Sequence, residues 1–103
     1  MTAPTTVAAR IARYLTALLA EVADLPNLVA EWDRLPPAAR ASVALDWDHL
    51  LADYLTELES HYRAGVMLPA QSARYADLRG QLRAARPLLE QLGWLPLPVE
   101  LID

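Results

Sequence analysis

The stretch from Pro37 to Gly65 contains no internal Gly or Pro, and it keeps one apolar period throughout. Val43, Trp47, Leu50, Leu51, Tyr54, Leu55, Leu58 and Tyr62 recur at steps of three and four. At about 100° per residue they form one broad face, the pattern of a helix packed on one side. Pro37 suits a first helical position, where its missing N–H would have gone unpaired. Gly65 suits the left-handed residue just past a helix end. Such a helix is about 40 Å long at roughly 1.5 Å per residue. Its neighbours must therefore be long as well, or come from a second chain.

The polar residues of this helix divide unevenly. Asp48, Glu59 and Arg63 fall on the face opposite the stripe. Asp46, His49, Asp53 and Glu57 share one flank, with His61 at the edge of the stripe.

Two further helices follow from the same reasoning. Thr5 or Thr6 caps the first, which runs to about Asp24 with Val7, Ile11, Tyr14, Leu15, Leu18, Val22 and Leu25 as its stripe. Arg10, Arg13, Glu21 and Asp24 take its polar side. Pro26 is expected to end it, because a proline excludes the residue before it from helical geometry. Asn27 then caps a short connecting helix within Leu28–Leu35. After a turn at Gly65–Leu68, Pro69 opens a helix through about Leu92. Its seam of Tyr75, Leu78, Leu82, Ala85, Leu89 and Leu92 is narrow and heptad-like, the kind that packs against another helix. Pro87 lies roughly opposite this seam, so either the helix bends there or a second short one begins. Gly93 stops it.

The fold expected is therefore all-α: a small antiparallel helical bundle of three long helices and one short connecting helix. Residues 1–92 form the helical domain, and residues 93–103 form an extended, proline-containing, apolar C-terminal tail. A solvated tail should be polar. This one should be docked, with Trp94 as its anchor and Leu95, Leu97, Val99 and Leu101 beside it.

Composition narrows the chemistry. Of 103 residues 54% are apolar, enough for a core and against disorder. The absence of cysteine excludes disulfides, thiol catalysis and cysteine metal sites. No basic segment followed by an apolar run opens the chain, and no uncharged apolar stretch reaches the roughly 20 residues of a membrane span. A cytoplasmic protein with no membrane contact is the expectation. The net charge of −4 weighs against general nucleic-acid affinity. The three glycines, Gly65, Gly80 and Gly93, form no phosphate loop. Ser60 neighbours His61 but does not face it on a helix, so no nucleophile is evident.

Three features remain. The flank bearing His49, Asp53, Glu57 and His61 has the three- and four-residue spacing of helical metal ligands, and a metal-dependent bundle enzyme is one reading of it. A metal site needs three or four converging ligands, however, and here nearly all candidates sit on one helix. The bland reading is a solvated acidic flank, so neither a metal nor another cofactor is expected. The second feature is a row of Arg79, Arg83 and Arg86, with Arg74, on the last helix. It can face the acidic central helix, within or between chains, or bind nucleic acid. The third is the tail. The function expected is a small non-enzymatic protein–protein interaction module, a homodimeric accessory or regulatory subunit. Its partner-binding residues would be the Arg row and the apolar tail.

Overall fold

In the computed structural model, which describes residues 6–95, 97 and 98, the stretch after Pro37 is helical without interruption as far as Ala64. The chain runs through α1 (Thr6–Glu31), a 3-10 turn (Trp32–Arg34), α2 (Pro37–Leu50), a π-helical turn (Leu51–Leu55) and α3 (Thr56–Ala64). Then follow α4 (Pro69–Ala84) and α5 (Arg86–Leu92). Every regular element among the described residues is helical. The molecule measures 47 × 32 × 19 Å, and its long dimension accommodates the central helix.

The helix ends follow local chemistry. Gly65 and Gly93 have φ of 72° and 77°. At each, the next amide turns back to the carbonyl of the last helical turn: Val66 N–H to His61 O at 3.2 Å, Trp94 N–H to Leu89 O at 2.9 Å. These paired closures satisfy carbonyls that would otherwise lack partners, and they favour an apolar contact between the bonded residues. The second one turns Trp94 back toward the core. At the start of α4, Gln71 Oε1 accepts from the Leu68 amide at 3.2 Å.

Two expectations need correction. Pro26 does not end the first helix; α1 continues through it to Glu31. Pro26 itself is exposed, and Leu25, 1% exposed, and Leu28 both pack on the core only if the helix persists. Apolar burial here outweighs the roughly 3 kcal/mol cost of an internal proline. Asn27 accordingly caps nothing, and its amide donates to Asp24 at 3.1 Å. The connecting element shrinks to the 3-10 turn. Arg40 holds that turn by donating to Trp32 O at 2.9 Å, which also accepts from the Leu35 amide at 3.1 Å, and to Asp33 O at 3.0 Å. At the other proline, the helix ends at Ala84 and α5 begins at Arg86. The seam still runs across the break: Tyr75, Leu78, Leu82, Ala85 and Leu89 are all buried.

The π turn has a physical cause. Trp47, Leu51, Leu55 and Glu59 are buried and each four residues apart. In a pure α-helix a four-residue step drifts about 40°, so three steps would carry the last residue about 120° off the core. One wider turn takes up one extra residue and removes most of that drift. The amide of Thr56 bonds to Leu51 O across this turn, and its hydroxyl reaches the same carbonyl at 3.4 Å.

The core joins Ile11, Leu15, Leu18, Val22 and Leu25 of α1 to Leu55 and Leu58, to Met67, and to the α4–α5 seam. α1 is the hub: it packs against α3, α4, α5 and the π turn. By contrast, α2 buries only Trp47.

Candidate functional site

Residues from α1, α3 and α4 build a polar cluster at one end of the core. The wide turn brings Glu59, read from the sequence as an outward residue, to 6% exposure. Tyr75 donates its hydroxyl to Glu59 Oε1 at 2.6 Å, and Arg63 forms an ion pair with the other carboxylate oxygen. Burial, then the hydrogen bond and charge of Glu59, push the Tyr75 phenol far above its usual range. Tyr62 lies 5.0 Å from Tyr75 between ring centroids, and Arg79 lies over Tyr62 at 5.4 Å. Gln71, also buried, donates to Ala8 O at 2.9 Å and so ties α4 to the start of α1. The Tyr75 phenol donates to one carboxylate oxygen and the Arg63 guanidinium pairs with the other, so Glu59 is held from α4 and from its own helix.

Beside this cluster, Glu57 accepts from Arg10 Nε at 2.8 Å and lies 3.1 Å from His61 Nε2. Partial desolvation raises the Glu57 pKa. The His61 and Arg10 hydrogen bonds and charges outweigh it and hold the carboxyl below its usual range. Arg10, expected on the polar side of the first helix, is thus the cross-helix partner of α3. Of the flank residues, Asp46, His49 and Asp53 are exposed, while Glu57 and His61 are half-buried. Among the described residues no group of three or more His, Asp or Glu side chains comes together as a metal site.

The arginines of the last helix are divided between two environments. Arg79 is buried, whereas Arg83 and Arg86 are exposed on either side of the Ala85 break. Arg86 pairs with Glu90 on its own helix at 3.5 Å. Arg74 lies 3.5 Å from Thr16 of α1. A nearby aromatic face for Arg79 was not visible in the spacing, because Tyr62 belongs to another helix.

The tail packs on its own chain where it is described. Trp94 stacks on Trp47 at 5.2 Å and 23°, and meets Trp32 edge-on at 5.7 Å and 90°. Leu95 and Leu97 also pack against the core. Val99 and Leu101 lie outside the described residues. Two concavities flank this indole group. One, of about 270 Å³, lies between α1 and α2 and includes Trp47 and Trp94 in its lining. The other is a more open groove lined by Trp32, Arg40, Asp48 and Leu95. No helix among the described residues is long and apolar enough to cross a membrane.

Comparison with protein-family models, with curated proteins and with solved structures gives no match.

Proposed function

We propose that this chain is a non-enzymatic interaction module, an antiparallel helical bundle that pairs with a second copy of itself. The observation that carries the reading is an apolar end. Val7, Val66 and Leu68 are 42%, 56% and 55% exposed. Gln71 bonds both the Leu68 amide and Ala8 O, so these three side chains gather at one end of the molecule. A gathered, exposed aliphatic group supports reading this end as an interaction surface.

A twofold pairing would cover the group on both copies at once. Each aliphatic side chain contributes about 1.5–3 kcal/mol when fully buried, offset by the cost of association. The expected dimer is reversible and concentration-dependent. Light scattering across a concentration series tests it, with wild type against a Val66→Glu, Leu68→Glu double variant. The wild-type mass should rise toward that of a dimer with concentration, and the variant should stay monomeric. A wild type that is monomeric up to about 100 μM, or a variant that still pairs, would overturn the reading.

A further inference from the structure

Three indoles meet where the tail touches the rest of the chain, and two of them belong to one segment. Trp32 lies on the 3-10 turn and Trp47 on α2, and both pack against Trp94. Trp94 is fixed to α5 by its amide bond to Leu89 O at 2.9 Å. It therefore clasps residues 32–50 to the end of α5. The segment has little else to hold it. Among the described residues, only Trp47 and Leu50 of this segment pack with the core, whereas Leu55 and Leu58, just beyond it, are fully buried. Concavities lie on both sides of α2, one toward α1 and one toward α5.

Both ends of the segment are places where the helical path changes. α1 gives way to the 3-10 turn after Glu31, and α2 meets the π turn at Leu51. Such changes of pitch are common points of bending. Arg40 donates to carbonyls of Trp32 and Asp33, inside the same segment, so these bonds stiffen the segment without tying it to the core.

The closed seat also carries a cost. Trp47 Nε1–H is buried and has no acceptor among the described residues. A donor in that position has lost its hydrogen bond to water and gained none in return. Outward movement of the segment would restore that bond.

We propose that residues 32–50 form a hinged arm, clasped shut by Trp94, that opens as one unit while α1, α3, α4 and α5 stay folded. Opening gives the Trp47 N–H to water and uncovers Leu25 of α1, which lines the same cavity. The α1 surface beneath the arm is thus available only when Trp94 lets go. The device is independent of self-association at the apolar end.

Native-state hydrogen exchange on the full wild-type chain, in graded urea below the unfolding transition, tests it. The key signal is the Trp47 indole N–H, assigned from a Trp47→Phe variant, because its burial lets it exchange only when the seat opens. This group and the amides of Val43, Ala44 and Trp47 should share one opening equilibrium. Their protection should lie at least about 100-fold below that of the Leu18 and Leu58 amides, with a smaller urea slope. Replacing Trp47 by benzothienylalanine keeps the shape of the indole and removes its N–H. Protection of the α2 amides should then rise about tenfold. An indole N–H as well protected as the Leu58 amide would overturn the proposal, as would unchanged α2 protection in the isosteric variant.

Discussion

Glu59 shows how one residue depends on the geometry upstream of it. Its carboxylate is buried, accepts from Tyr75 of α4 and forms an ion pair with Arg63 of its own helix. Tyr75→Phe removes the hydroxyl and leaves one carboxylate oxygen without its donor, at a cost of about 1–3 kcal/mol. Urea unfolding at neutral pH measures this, and a loss below about 0.5 kcal/mol would contradict it. A pH dependence follows from the same pair. The folded chain holds the Tyr75 phenol protonated beyond the usual range, whereas the unfolded chain releases that proton at about pH 10. The unfolded state therefore binds fewer protons there, and stability falls as pH rises. This contribution is fully present below the usual phenol pKa and is lost progressively above it. Wild type should thus weaken above about pH 10 more steeply than Tyr75→Phe, as read from melting temperatures across pH. None of this is legible in the sequence. An ideal helical projection puts Glu59 opposite the apolar stripe, and only the extra residue in the π turn brings it round.

At the scale of elements, proline and glycine punctuation with a three-to-four period was enough to locate the long helices. Pro37, Gly65, Pro69 and Gly93 all mark true boundaries. Pro26 and Pro87 carry the same local signal and have different outcomes. α1 continues through Pro26 because Leu25 and Leu28 gain burial from it. At Pro87 the seam is kept by Ala85, which is buried at φ −83° and ψ −1° between two helices. Local propensity cannot separate these cases, since what decides them is the neighbouring surface. The π turn makes a sharper test. Deleting the exposed Ala52 should convert it to α-helix and keep both buried faces aligned, so the variant should fold with a near-native melting temperature. Deleting the equally exposed Ala76 from α4 should rotate Leu78, Leu82 and Leu89 by about 100° and abolish cooperative unfolding. Similar losses in both variants would show that the wide turn is not what sets the register.

For the whole molecule, the sequence points to the long helix after Pro37 as the organiser, yet α1 is the element that most others touch. The α2 half of the long helix buries only Trp47, and Trp94 stacks on that indole. Trp94 was recognisable as an anchor because an apolar, proline-interrupted segment cannot remain solvated. Its receptor was not, because Trp32 and Trp47 are distant in sequence and their meeting depends on the chain reversal held by Arg40. Trp94→Ala should therefore loosen α2 more than α3. By hydrogen exchange, amide protection should fall by about tenfold or more in α2, with α3 little changed. A uniform loss across both would mean that the tail stabilises the whole core instead. The central place of α1 also bears on how the chain is made. Its stripe of Ile11, Leu15, Leu18, Val22 and Leu25 is covered largely by α4 and α5, which are synthesised well after it. Ribosomes add about 5–20 residues per second, so this surface stays uncovered for seconds on every nascent chain. During that interval the newborn helix is a natural client for chaperones that hold apolar segments.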